Sequence, residues 1–387
     1  MIKKVKSFYH YLWAFFSSLA YLFPSKRIFV IGITGTKGKS TTASLLTSIL
    51  EEAGYTVASL NSVFKKIGER TEKNTTGNTM PGKGYIQKFL TEAVKKSCHY
   101  AIVEVTSQGV VQNRHKFIDF DIAGITNIHP EHIESHGSFT AYKEAKGDFF
   151  RYVAKGKKLF FVNKEDPEKE FFIKCAGENE VVEFSYKDLD VKGLGEFVLS
   201  DFNREDAELA RRIALTQGVS EKIIRKALKN FQGITGRMEW LKGSGYKVVV
   251  DYAHTPGSYE ALYKHLKSLK PKRLVCVFGS YGEGRDKWKR KEIGELSDLY
   301  CDKIILTNEG PGDEEPMQII KDIKKGVKKK ECEIIIDRKL AIKTAITQAK
   351  KGDIIALIGK GHEDYIRIGS EKIPWNEVEI AKKAMKL

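Results

Sequence analysis

At 387 residues the chain is long enough for two domains with separate cores, and a composition of 41% hydrophobic and 30% charged residues excludes a disordered or fibrous protein. A net charge of +16 raises nucleic acid as a partner, but no zinc-finger or RNP-type pattern accompanies it, and the densest basic run, "KDIKKGVKKKE" (Lys321 to Glu331), reads as a solvated helix face. The five cysteines are scattered without a C-x-x-C pair, which suits reduced thiols rather than a disulfide framework.

The first element is apolar. "FYHYLWAFFSSLAYLFP" (Phe8 to Pro24) follows Lys3, Lys4 and Lys6 and precedes Lys26 and Arg27. It sits at the short limit for a membrane span. Two readings stay open: a helix packed on the domain that follows, or an interfacial helix with its aromatic residues in a membrane surface. Ser18-Leu19-Ala20 also offers a signal-cleavage pattern.

"RIFVIGIT" is a β-rich apolar run, expected as a buried parallel strand. "STTASLLTSILEEAGY" has apolar residues at helical spacing and ends at Gly54, a C-cap residue. Between them "GTKGKST" makes strand, glycine turn, helix. Backbone N–H groups of such a turn point at an anion, Lys39 neutralises it, and the Ser40 hydroxyl can ligate Mg²⁺. Strands alternate with helical stretches through the rest of the chain: "HYAIVEV", "AGITNI" and "KLFFVN", then "KVVVDYA", "RLVCVFG", "KIILTN" and "DIIALIG". Both halves read as parallel, helix-covered α/β sheets, with the boundary in "FQGITGRMEW" (Phe231 to Trp240).

The turn does not fit G-x-x-x-x-G-K-[ST]. T-G-T-x-G-K-[ST] instead resembles the ATP loop of the Mur ligase family, the ATP-dependent amide-forming enzymes of peptidoglycan precursor synthesis. Folylpolyglutamate and cyanophycin synthetases share it. The resemblance gives Gly35, Thr36, Lys37, Gly38, Lys39, Ser40 and Thr41 to ATP. "NTTGNTMPG" resembles the N-T-T-P segment that contacts the muramoyl-peptide substrate in the tripeptide-synthetase branch, with Thr75 and Thr76 matched and Gly77 in place of Pro. "EVTSQG" resembles E-V-S-S-H, which makes Glu104 a metal ligand and Ser107 a substrate contact, although Gln108 replaces His. "TNIHPEHIESHGSFTAYKEAK" resembles T-N-x-x-x-D-H-L-D-x-H-G followed by Y-x-x-A-K. On that match His132 binds Mg²⁺, Glu131 replaces Asp, and Lys146 is a candidate for carbamylation, which would turn a cation into a carboxylate-like ligand. Lys39, Glu104, His132 and Lys146 form the implied catalytic set. Ser40, Glu104, His132 and Lys146 form the metal set.

In the second half "DFNREDAELA" resembles the segment near adenine, with Asn203 kept and Asp206 where a second Asn is usual. "GRMEW" (Arg237) and "VVDYAHTPG" (Asp251, Tyr252, His254) match the segments by which the C-terminal domain closes over ATP. "VFGSYGEGRDKWKR" brings Arg285, Asp286 and Lys287 to the phosphates or the ligand, and "GKGHE" puts Lys360, His362 and Glu363 at the amino-acid site. Two departures stand out. Only some thirty residues precede the ATPase strand where family members carry a uridine-nucleotide-binding domain. And "LTNEGPGDEEP" puts Glu309, Gly310, Pro311 and Gly312 where diaminopimelate-selecting enzymes carry D-[DN]-P-R. An acidic Glu309, Asp313 or Glu314 would meet a second ammonium, favouring lysine or another diamino acid.

The expected architecture is α/β: an apolar helical segment (1–26), a central P-loop ATPase domain with a parallel sheet (27–234) and a C-terminal Rossmann-like domain (235–387). The expected activity is ATP-dependent ligation of an amino acid to a muramoyl-peptide-like carboxylate through an acyl phosphate, with ATP and Mg²⁺ and without nucleic acid. Such an enzyme works in the cytoplasm, since export would part it from ATP, with contact to the membrane through residues 8–24 left open. The competing readings are a folylpolyglutamate- or cyanophycin-type ligase and a non-catalytic ATP-binding scaffold.

Overall fold

The N-terminal helix α1 (Ile2–Ala20) and a 3-10 turn (Pro24–Arg27) lead into β1 (Phe29–Thr34), α2 (Lys39–Glu52) and β2 (Val57–Leu60). The hairpin β3 (Phe64–Ile67) and β4 (Arg70–Lys73) follows, then α3 (Tyr85–Lys95), β5 (Tyr100–Glu104), α4 (Ser107–Val111) and β6 (Ile122–Ile125). The half closes with α5 (Ile133–His136), α6 (Phe139–Val153), β7 (Leu159–Asn163), α7 (Lys169–Ala176), β8 (Glu180–Phe184), α8 (Asp201–Thr216) and α9 (Glu221–Asn230). This computed structural model describes residues 2–131, 133–282 and 287–386, with the backbone alone for residues 2–6 and Glu134. The chain divides into two compact units, Met1–Gln232 and Gly233–Leu387.

In the first unit the strands form one sheet in the order β4-β3-β2-β5-β1-β6-β7-β8. β1 lies between β5 and β6 and runs parallel to both. Its residues Val30, Ile31 and Ile33 are fully buried, as expected of a strand covered on both faces. One face packs on Leu45, Leu46, Ile49 and Leu50 of α2, which meet Leu209, Ala210 and Ile213 of α8. The other face is filled by Phe120, Phe149, Phe150 and Phe160. Burying each such side chain contributes about 1.5–3 kcal/mol. The sheet is not wholly parallel: β3 pairs antiparallel with β2 and with β4. That hairpin escapes a periodicity reading because its residues are half-buried or exposed.

The second unit contains β9 (Glu239–Lys242), β10 (Lys247–Asp251), α10 (Pro256–Ser268), β11 (Leu274–Phe278), α11 (Lys289–Tyr300), β12 (Lys303–Leu306) and α12 (Pro316–Lys324). Next come β13 (Glu331–Ile334), α13 (Arg338–Thr347), β14 (Ile354–Ile358), the hairpin β15 (Tyr365–Ile368) and β16 (Glu371–Pro374), and α14 (Glu377–Met385). Its sheet runs β13-β12-β11-β14-β10-β9, parallel except for the edge strand β9. Lys321, Lys324 and Lys325 are exposed above the buried Ile319, Ile320 and Ile323, so the dense basic run is a solvated face over an apolar one.

The expectation of free thiols fails at one pair. Cys276 on β11 and Cys301 after α11 are both fully buried and are joined in a disulfide, with Cα atoms 6.3 Å apart. They are 25 residues apart in sequence, and the return of α11 along β11 brings them together. Cys98, Cys175 and Cys332 are free.

An ion pair braces the ligand-facing end of the second sheet. Arg338 and Glu377, 1% and 0% exposed, pair at 2.6 Å, and Arg338 Nη2 also donates to Ile358 O at the end of β14. Removing one partner strands a buried charge, so Arg338→Leu should destabilise the second unit by about 3–5 kcal/mol, read as a lowered denaturant midpoint.

Candidate active site

Two glycines shape the turn after β1. Gly35 has φ +142°, and a Cβ there would lie 1.9 Å from Thr126 Oγ1. Gly38 has φ +83°, and its Cβ would lie 1.9 Å from Asp206 Oδ1. The turn is tied down from outside. Thr36 N donates to Asn127 O at 2.9 Å, Lys37 N to Asn127 Oδ1 at 3.0 Å, and Thr126 Oγ1 to Lys37 O at 2.5 Å. The Thr36 hydroxyl receives His129 N at 2.9 Å and Tyr142 OH at 3.2 Å. Lys37 pairs with Glu131 at 2.8 Å, and Thr41 is buried in the first turn of α2.

The reactive groups cluster at this turn. Lys39 Nζ folds back onto Gly35 O and Thr36 O, each at 3.0 Å, and lies 3.9 Å from Glu104. Ser40 Oγ donates to Glu104 Oε2 at 2.7 Å, and Ser62 N donates to the same oxygen at 3.0 Å. Glu104 is buried at the C-terminal end of β5, beside the turn, because β5 pairs in register with β1. Lys146, on α6, is 1% exposed and donates to Gly35 O at 2.7 Å. Burial pushes its ammonium well below the usual lysine range, Lys39 pushes it further down, and Glu131 and Glu104 act in the opposite direction. His132 lies outside the described residues.

One carboxylate, one hydroxyl and a row of backbone N–H groups at a helix start fit Mg²⁺ carried by a polyphosphate, because Mg²⁺ keeps several water and phosphate oxygens and needs few protein ligands. Among the described residues no group of three or more His, Cys, Asp or Glu side chains forms a metal cage. A glycine cradle that admits no Cβ and an adjacent Lys–Ser pair fit the phosphates.

The remaining residues of this unit are placed as follows. Thr75 is exposed. Thr76 is locked into an Asn-rich turn, donating to Asn74 Oδ1 at 2.6 Å and to Asn78 O at 2.9 Å. Asn74 anchors that turn to Asn61 O at 2.7 Å, one residue before Ser62, which contacts Glu104. Ser107 Oγ lies 3.1 Å from His136 Nε2. Asn203 is buried and donates to Phe197 O at 2.8 Å. Asp206 contacts Thr42 Oγ1 at 3.3 Å and so backs the phosphate turn.

Three groups escape a reading of motifs alone. Tyr142, the Tyr of Y-x-x-A-K, holds Thr36 and puts its ring 4.8 Å from Lys146 Nζ. Arg114 follows α4 and donates through Nη1 to Met80 O, joining the end of the Asn-rich segment to the Ser107 helix. Glu205 receives Asn127 Nδ2 at 3.1 Å, and burial pushes its carboxyl up to about 7 in spite of that bond, with Asp166 adding to the rise.

In the second unit the strand ends gather a different set. The Asp251 carboxylate accepts Ala253 N at 2.7 Å and Met238 N at 2.9 Å, which sets the loop carrying Tyr252 and His254. His254 Nδ1 sits 2.8 Å from Tyr252 O. Arg237 stacks over the Tyr252 ring at 4.5 Å, and the His362 ring lies 4.9 Å from it on centroids. Tyr252 OH donates to Glu363 at 3.1 Å. Lys360 donates to Glu363 at 2.6 Å, to Tyr281 OH at 3.0 Å and to Tyr365 O at 2.7 Å. Burial lowers the Lys360 ammonium to about 8, against the pull of Glu309. Arg285 and Asp286 lie outside the described residues, and Lys287 pairs with Glu314 at 3.2 Å.

The acids expected to meet a second ammonium are mostly taken. Glu309 is buried, accepts Gly279 N at 3.2 Å and faces Arg338, Lys360 and Lys289. Glu314 binds the buried Arg290 at 3.0 Å. Asp313 is exposed.

Two predictions follow from this geometry. Gly38→Ala should weaken ATP binding at least tenfold by calorimetry, with the melting of the second unit unchanged, because the Cβ meets Asp206 and the backbone is strained. Glu205 carries a raised folded pKa, so the stability it contributes falls as pH rises from the ordinary carboxylate range through about 7. Glu205→Gln should therefore gain melting temperature over the parent at pH 8 and show little difference at pH 5.

Residues 33–215 match the Mur ligase middle domain and residues 236–361 match the Mur ligase glutamate ligase domain. A UDP-N-acetylmuramyl-tripeptide synthetase of Roseiflexus sp. (strain RS-1) is 34% identical over 94% of this chain and 79% of its own length. A UDP-N-acetylmuramoyl-L-alanyl-D-glutamate--2,6-diaminopimelate ligase of Aquifex aeolicus (strain VF5) is 33% identical over 94% of this chain and 78% of its own. A solved structure of another such diaminopimelate ligase aligns with a TM-score of 0.63 at 27% identity, covering 93% of this chain and 78% of that one. With both domains matched and identity above 30% over nearly its whole length, this chain belongs to the Mur ligase family of ATP-dependent ligases.

Proposed function

We propose that the protein joins an amino acid to the carboxylate of a muramoyl-peptide-like acceptor, in the cytoplasm, at the expense of ATP. The observation that carries this reading is the Ser40–Glu104 contact at 2.7 Å beside Lys39, a metal-ready carboxylate at the mouth of a phosphate turn.

The turn 35–41 would hold the ATP phosphates on the N–H groups of residues 38–41, since Asn127 takes those of Thr36 and Lys37, with Lys39 swinging from the Gly35 and Thr36 carbonyls onto them. Mg²⁺, when bound, supplies charge neutralisation between the polyphosphate and an incoming carboxylate, and Ser40, Glu104, His132 and Lys146 are the residues that would hold it. The acceptor carboxylate attacks the γ-phosphorus and ADP leaves. The amino acid's amine then attacks the acyl carbon of the acyl phosphate, and phosphate leaves as the amide forms. Positioning and electrostatics supply most of the rate. Thr75, Thr76, Ser107 and Arg114 would border the acceptor. Asn203, Arg237 and His254 would border the nucleotide, with Asp251 shaping that loop. Lys360, His362, Glu363 and Arg285 would take the amino acid.

Carbamylation of Lys146 belongs to this reading. Its amine is buried and disfavoured as a cation, the state in which it reacts with CO₂. Lys146→Arg keeps a cation and cannot form the carbamate, so it should cut turnover about a hundredfold or more, and removal of bicarbonate should slow the parent and not the variant. Full activity in Lys146→Arg would refute the role. The amino acid is a diamino acid on this reading, with the exposed Asp313 as the remaining acid near the D-[DN]-P-R position.

The decisive assay measures phosphate release from Mg-ATP and product mass together, with UDP-muramoyl-dipeptide and a panel that includes lysine and diaminopimelate. Release that needs both co-substrates, with a product heavier by one residue, is the expected result. ATP binding without release for any pair would overturn the ligase reading for this acceptor.

A further inference from the structure

Helix α1 wears its amphipathicity inside out. The side turned to the first unit is small and polar: Ala14, Ser17 and Ser18 are buried, and the Ser17 and Ser18 hydroxyls bond back to carbonyls of their own helix. Ser7 Oγ accepts Asn113 Nδ2 at 2.9 Å, and the helix approaches so closely that a Cβ on Gly84 would lie 2.7 Å from Ser17 Cβ. Tyr11 and Phe15 set their ring edges on Phe117 at 5.2 and 5.3 Å along the flank. The large apolar residues face away: Phe8 is 63% exposed, Phe16 58%, Leu19 50%, Tyr9 47% and Trp13 43%, and Leu22 beyond the helix is 73% exposed. Had the helix served only to cover the domain, the aromatic side would be the buried one.

Charge says what this face meets. Lys3, Lys4 and Lys6 lie in its first turns, Lys26 and Arg27 follow it exposed, and the first acidic residue of the chain is Glu51. No helix among the described residues is long and apolar enough to cross a membrane. Aromatic rings between basic flanks on a helix that does not span are the chemistry of a lipid–water interface with anionic headgroups.

We propose that α1 is an interfacial anchor that seats the first unit on an anionic lipid surface, with Phe8, Trp13, Phe16 and Leu19 in the acyl boundary and the basic flanks on the headgroups. Because α1 packs beside Gly84 and Asn113, lipid would lie next to the segment from Asn74 to Arg114. That last point rests on the acceptor reading given above, and the anchor itself does not.

The test is sedimentation of the full chain with phosphatidylcholine vesicles, with and without phosphatidylglycerol, in the absence of substrates. The parent should pellet with the anionic vesicles and release at high salt. Trp13 should shift its emission to the blue, a change absent in Trp13→Phe. Phe16→Glu combined with Leu19→Ser should lose at least tenfold in vesicle binding while ATP binding and melting stay as in the parent. No pelleting and no Trp13 shift with anionic vesicles would overturn the anchor. So would a concentration-dependent dimer that Phe16→Glu dissociates while vesicles are ignored, since the face would then belong to a second copy. Vesicle binding is read without ligation chemistry, so its failure leaves the ligase reading standing, and the reverse holds.

Discussion

Two positions in the turn after β1 have no room for a side chain, and most of the first unit's chemistry follows from that. Gly35 presses on Thr126 and Gly38 on Asp206, so the turn is clamped between β6 and α8 as well as carried by β1. Asn127 takes the Thr36 and Lys37 N–H groups, and the clamp leaves the Gly35 carbonyl facing Lys146 and Lys39. The sheet supplies the other half of the constraint. Parallel register of β5 with β1 delivers Glu104 to Ser40 at hydrogen-bonding distance, with no freedom to choose another residue. A Rossmann-like sheet binds ligands where its strands end, and here the strand order makes that end a metal-ready one.

The second unit solves a different problem. Glu309 and Lys360 in the loops after β12 and β14, and Arg338 and Glu377 at the starts of α13 and α14, are buried ions of both signs. Each alone would be costly, and together they offset one another through hydrogen bonds to the loop backbones. The arrangement fixes the loop after β14, where Gly359 has φ +108° and a Cβ would strike Glu309. The acid at 309 is thus a brace within the protein.

Much of this was legible in the sequence wherever a local pattern fixed a local structure. The G-T-K-G-K-S-T turn, the strand before it, the helix ending at Gly54 and the strands ending at Glu104 and Asp251 all stand where apolar runs and glycines put them. What escaped depended on partners far along the chain. Tyr142 meets Thr36 across 106 positions, and Asn127 meets Glu205 across 78. Asp251 also holds the backbone N–H groups of Met238 and Ala253, a role in shaping its loop that the motif alone does not show. The apolar character of α1 was plain, whereas the side it turns outward is set by where its serines find a neighbour. The cysteines misled because a redox expectation drawn from spacing cannot see a helix fold back along a strand.

That cysteine pair has a mechanical meaning. The link from Cys276 to Cys301 makes a covalent ring of the end of β11, the loop carrying Tyr281 and all of α11, with Arg290 and Ser297 inside it. When the ring is closed, the unfolded chain of the second unit has fewer conformations to lose on folding. When thiol reductants open it, the same loop is tethered by noncovalent contacts alone. The first unit has only isolated thiols at Cys98 and Cys175 and no such ring. The constraint that oxidation adds to the fold therefore falls on the second unit, among the described residues.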